Sequence, residues 1–116
     1  MAFSFGIPLL AYGQGLPELS FGTFNVRYDN PQDTLEWSER RNEVALAVRY
    51  FDLVALQEVL PNQWADLRTR MPQHESFGLG RNADGTGEAC PVFWNRDRFD
   101  FLKGDVRWLS LNPNQP

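Results

Sequence analysis

The sequence predicts an α/β fold from three observations taken in order: a β-patterned run over 19–26, a helical apolar stripe over 38–50, and a short continuous apolar run at 53–56. Two strands joined by a helix in this way belong to a parallel pair with a right-handed crossover. The 116-residue length suits one ordinary domain and is too short for two. Hydrophobic residues make up 42% of the chain and charged residues 22%, the balance of a protein that buries a core.

The first run, LSFGTFNV, alternates so that Leu19, Phe21, Thr23 and Asn25 share one face and Phe24 and Val26 the other. The turn-rich YDNPQD ends it. From Ser38 to Tyr50 a helix is predicted, with Val44, Ala47, Val48 and Phe51 at the spacing i, i+3, i+4, i+7 and with Glu and Arg on the other side. Leu53 to Leu56 reads as a strand covered on both faces. Pro61 suits the first turn of a second helix, in which Trp64, Leu67 and Met71 form the apolar stripe before Pro72 stops it. ESFGLG and ACPVFW flank the turn formers Asn82 to Gly87, which predicts a hairpin.

Parallel strands send their carboxyl ends to one edge of the sheet, where ligands of open α/β sheets gather. Asn25 closes the first strand, and Gln57 and Glu58 close the second, so residues 33 apart in sequence are predicted neighbours. An amide oxygen and a carboxylate are hard ligands, suited to Mg²⁺ or Mn²⁺ rather than zinc. The structural alternative is a turn made by Asn25 and a helix cap made by Glu58, and spacing alone favours it. Arg81 and Glu88, at the shoulders of the hairpin turn, leave two readings open as well: an ion pair, or two groups facing a phosphate and metal site.

The net charge of −4 argues against non-specific nucleic-acid binding through bulk electrostatics, although a bound divalent metal can serve a local phosphate site. Cys90 is the only cysteine, which excludes an internal disulfide and reads as a small buried hydrophobe. His74, the only histidine, reads as a solvated loop residue, and no Ser-His-Asp arrangement follows from it. A calcium loop centred on Gly85 fails because Gly80 and Pro91 stand where carboxylate ligands belong, and no nucleotide-binding glycine motif is complete. Trp37, Trp64, Trp94 and Trp108 read as core rather than base-stacking residues. Residues 1–15, MAFSFGIPLLAYGQG, carry no charge and are expected to be a leader, either a signal peptide or an unstructured extension. Location is accordingly open between a secreted or periplasmic protein and a cytoplasmic one. The stretch is too short to span a bilayer, so stable membrane insertion is not expected.

The runs TFNVRYDN and LVALQEV resemble the first two motifs of the endonuclease/exonuclease/phosphatase superfamily, the DNase-I-like metal-dependent phosphoesterases. GRNADGTGEACPVFW and the later VRWLSLNP are similar to a bacterial, often secreted branch related to carbon-catabolite-repressor-type deadenylases. The resemblance covers residues 19–116 and implies that 16–116 form the N-terminal part, about the first half, of a DNase-I-like four-layer α/β sandwich. It implies Mg²⁺- or Mn²⁺-dependent hydrolysis of phosphodiester or phosphomonoester bonds, a 3′–5′ exoribonuclease being one form. Glu58 would be a direct metal ligand, Asn25 would help hold the metal or the scissile phosphate, and Gln57 would support them. Arg81 and Glu88 would bind substrate or steady the site. Phosphate esters are the implied substrates, with nucleic acid among them.

The family's catalytic His and its Asp and Asn partners come from a second half whose motifs do not occur here. The chain alone is therefore expected to be inactive, to expose an apolar sheet face and to want the missing C-terminal half as its partner. The alternative is a non-catalytic binding or structural fragment.

Overall fold

The computed structural model describes residues 18–116, so the expected leader lies outside the described residues. The order of elements is β1 (Phe21–Asn25), α1 (Trp37–Val48), β2 (Leu53–Gln57), α2 (Pro61–Arg70), β3 (His74–Phe77) and β4 (Val92–Asn95). They form a four-stranded sheet in the order β1-β2-β4-β3. β1 and β2 pair in parallel, with Phe21 opposite Leu53 and Asn25 opposite Gln57. β4 pairs antiparallel with both β2 and β3, which makes the mixed sheet of an α/β fold.

Register divides the residues of the sheet between two faces. Val54, Leu56 and Phe93 are fully buried among Val44, Ala45 and Val48 of α1 and Leu67 of α2. Burial of side chains of this size stabilises by roughly 1.5–3 kcal/mol each, so this layer carries most of the fold's stability. On the opposite face Leu53, Ala55 and Gln57 are half-buried, and Phe21 remains 62% exposed. The segment after β4 crosses part of this face. Its Phe101 ring stacks on Trp94 and tilts against Phe77, with centroids 5.2 Å away in both pairs.

The helices begin where side chains satisfy their first N–H groups. Glu39 accepts from the Glu36 N–H at 3.0 Å, and Gln63 Oε1 accepts from the Leu60 N–H at 3.0 Å just before Pro61. At the far end of the sheet Asp52 accepts from the Ser20 N–H and hydroxyl and from Arg98, which stitches β1, β2 and the segment after β4 together.

Three expectations need correction. The apolar stripe of α1 contains Ala45 and leaves Ala47 exposed. The reason is tertiary: Trp37 Nε1 and Arg41 both reach Asp66 on α2, which fixes the rotation of α1 about its axis. His74 is not a solvated loop residue. It is buried at the start of β3, and its Nε2 donates to the Phe51 carbonyl at 2.8 Å. Cys90 is exposed rather than buried, because its neighbours Ala89 and Pro91 take the inward positions. The hairpin forms as expected, with Gly85 and Gly87 at φ values of +79° and +82° in its turn, a region that favours glycine.

Candidate active site

The parallel register sets Asn25 beside Gln57, so the β1 and β2 chains leave the sheet at the same edge. Both leave through left-handed residues that are not glycine: Arg27 has φ 58° and Glu58 has φ 60°. Backbone of this kind costs free energy and persists only where the surroundings hold it. The Glu58 carboxylate is held at both oxygens. Asn25 Nδ2 donates to Oε1 at 2.8 Å, and the Tyr28 N–H donates to Oε2 at 3.2 Å. These two hydrogen bonds, the Asn25 one first, hold the Glu58 carboxyl below its ordinary pKa, with the nearby Arg27 charge adding to them and burial opposing.

The Asn25 amide has one orientation. Its Oδ1 accepts from the Arg27 N–H at 2.8 Å, and only an oxygen can occupy that place, so the nitrogen faces Glu58. One further N–H of Nδ2 remains for another acceptor. Gln57 lies beside the pair but turns elsewhere, its Nε2 donating to Thr23 Oγ1 at 3.0 Å and to the Ala55 carbonyl at 3.1 Å.

The turn that follows β1 is tied down on several sides. Arg27 forms a two-pronged pair with Asp33 at 2.8 and 3.0 Å, which lowers the Asp33 pKa and raises that of Arg27. Arg40 of α1 donates to the carbonyls of Val26, Arg27 and Tyr28. Gln63, fully buried in α2, donates to the Arg27 carbonyl at 2.9 Å while accepting from Leu60, so it links the turns after β1 and β2. Sequence reasoning named neither Arg40 nor Gln63, nor the Tyr28 N–H. The available signal was topological, since a crossover helix begins near the carboxyl end of the strand it follows.

Arg81 and Glu88 meet each other. Their side chains pair at 2.6 Å across the hairpin, and the Arg81 N–H donates to the Glu88 carbonyl at 3.0 Å. Neither makes a hydrogen bond or ion pair with Asn25 or Glu58. The hairpin does reach the site's neighbourhood, because Ala89 exchanges both main-chain hydrogen bonds with Val59 at 2.8 and 3.1 Å. Among the described residues no group of three or more His, Cys, Asp and Glu side chains is placed to hold a metal ion. Glu58 itself suits a hard cation, being ionised, oriented, and left with a lone pair on each oxygen. Among the described residues no helix is long and apolar enough to cross a membrane.

A parallel strand pair presenting an amide and a carboxylate at its edge, backed by two helices and extended by an antiparallel hairpin, defines a mixed α/β protein with a polar site at the carboxyl ends of its parallel strands. The chain is similar to solved structures of the endonuclease/exonuclease/phosphatase family, whose N-terminal portion it matches. It is 39% identical to an endonuclease/exonuclease/phosphatase from Bacteroides vulgatus, with TM-score 0.79, covering 83% of this chain and 38% of that one. It is 30% identical to a family protein from Bacteroides thetaiotaomicron, with TM-score 0.81, covering 84% of this chain and 38% of the other. A mannosyl-6-phosphatase of Bacteroides thetaiotaomicron is also 30% identical, with TM-score 0.81, covering 85% of this chain and 39% of that enzyme. The chain thus spans about two-fifths of the length of these structures. No family model and no curated protein matches it.

Proposed function

We propose that this chain supplies the metal-binding edge of a Mg²⁺- or Mn²⁺-dependent phosphoric ester hydrolase. The observation that carries the reading is the Glu58 carboxylate, held ionised at the end of β2 by Asn25 and the Tyr28 N–H. A bound divalent cation would polarise a phosphoryl oxygen and stabilise the leaving oxyanion. Glu58 is its ligand from this chain. Asn25 orients Glu58 through one N–H and offers the other to a phosphate oxygen. Gln57 steadies the β2 end through Thr23, and the Arg81–Glu88 pair borders the substrate side.

The substrate class is a phosphate ester. Likeness to a mannosyl-6-phosphatase favours sugar phosphomonoesters, and the resemblance to deadenylase-related proteins favours oligoribonucleotide phosphodiesters. His74 offers this site no acid or base, because it is buried in β3 and bonded to Phe51. We infer that the 116-residue chain alone is inactive. In a longer polypeptide carrying this segment, hydrolysis of a sugar 6-phosphate and of an oligoribonucleotide is measured with and without Mg²⁺. Metal-dependent turnover of either, abolished by Glu58→Ala, supports the proposal. Unchanged rates in Glu58→Ala at saturating Mg²⁺ overturn it.

A further inference from the structure

Arg40 lies in the first turns of α1 and makes no ion pair among the described residues. Its guanidinium instead closes on three consecutive main-chain carbonyls, those of Val26, Arg27 at 2.8 Å and Tyr28 at 3.1 Å. The planar group also lies over the ring of Trp37, 5.2 Å from its centroid, and Trp37 is buried.

A trans peptide unit is rigid and flat, so its C=O and the following N–H point in opposite directions. The carbonyl of Val26 shares its plane with the Arg27 N–H, which donates to Asn25 Oδ1 at 2.8 Å. The carbonyl of Arg27 shares its plane with the Tyr28 N–H, which donates to Glu58 Oε2 at 3.2 Å. Arg40 grips the back of both planes, and the fronts of the same planes hold the two site residues. Gln63 adds a second donor to the Arg27 carbonyl at 2.9 Å.

We propose that Arg40 is a positioning residue for the Asn25–Glu58 site, acting through these two peptide planes. The proposal rests on the reading of Glu58 as a metal ligand only for its consequence, since the aiming of the two N–H groups stands on geometry alone. A lysine keeps the charge but lacks the fixed fork that engages successive carbonyls, so Arg40→Lys separates charge from geometry.

The test is amide hydrogen exchange on the 116-residue chain and its Arg40→Lys variant, with Mn²⁺ titrated into both and bound ion followed by water-proton relaxation. In the variant the Arg27 and Tyr28 amides exchange about tenfold faster or more, while Leu56 and Phe93 keep their protection and Mn²⁺ binding weakens. Unchanged exchange at Arg27 and Tyr28, or an equal loss spread over Leu56 and Phe93, overturns the proposal. If Arg40→Lys does not fold, ethylguanidinium is added to Arg40→Ala. Recovery of Tyr28 protection supports the positioning role, and no recovery overturns it. A wild-type chain that binds no Mn²⁺ while Tyr28 still responds to Arg40→Lys supports positioning and removes the metal reading instead.

Discussion

Asn25 and Glu58, 33 positions apart in the chain, are joined by a 2.8 Å hydrogen bond across the carboxyl edge of two parallel strands. The donor is the amide nitrogen, because the Asn25 oxygen already receives the Arg27 N–H. Asn25 therefore stabilises the charged form of Glu58 and fixes its direction together.

Asn25→Leu removes the largest cause of the lowered Glu58 pKa. Glu58 in the native chain contributes stability that is present above the ordinary glutamate value of about 4.3 and is lost as pH falls through its lower folded pKa. In the variant that window closes and the Glu58 titration moves up toward the ordinary value. Carboxyl-carbon NMR titration reads the shift directly, and a midpoint that stays in place contradicts the assignment.

The cluster of Asp52, Ser20 and Arg98 makes a separate prediction for acid stability. The Ser20 N–H and hydroxyl, then Arg98, lower the Asp52 pKa. The resulting stabilisation is complete above about pH 4 and disappears as pH falls through the folded pKa. Asp52→Asn should lower the urea midpoint at pH 7 and flatten its decline between pH 4 and the acid transition. Equal pH slopes for both proteins would argue that Asp52 is not ionically held.

Leu56 and Phe93 are fully buried between the sheet and the helices. Truncation at such positions costs about 2–5 kcal/mol for Leu→Ala and about 3–5 kcal/mol for Phe→Ala. Against a total of roughly 5–15 kcal/mol for a whole domain, Phe93→Ala should leave much of the chain unfolded at 25 °C. Circular dichroism through a urea titration measures the loss.

The face of β1 away from the helices leaves Phe21 62% exposed at the edge of the described sheet. Exposed apolar edge strands template association. Sedimentation of the 116-residue chain should show concentration-dependent self-association that Phe21→Lys reduces. A wild-type chain that is monomeric across the same range contradicts this account of the open face.

LVALQEV was legible because a continuous apolar run between helical stripes has few alternatives to a covered parallel strand. That reading carried the Asn25–Glu58 adjacency with it, since a right-handed crossover brings both carboxyl ends together. The means of holding the pair was not legible. Arg40 looks like any polar residue of an amphipathic helix until the rotation of α1 is known, and contacts to Asp66 set that rotation. The same contacts explain why Ala45 rather than Ala47 is buried. His74 was misplaced because a Pro-Gln-His sequence after a helix reads as loop, whereas its partner is the distant Phe51 carbonyl. Arg81 and Glu88 were placed on facing shoulders by the turn chemistry, and their 2.6 Å pairing is set by side-chain length across that ladder.

Glu58 is proposed to bind a divalent cation at this strand edge. Mn²⁺ titrated into the 116-residue chain and into Glu58→Ala, with water-proton relaxation reporting the bound ion and circular dichroism confirming the fold, tests it most directly. Saturable enhancement in the native chain, abolished by Glu58→Ala, is the expected result, and equal enhancement in two equally folded proteins overturns the assignment.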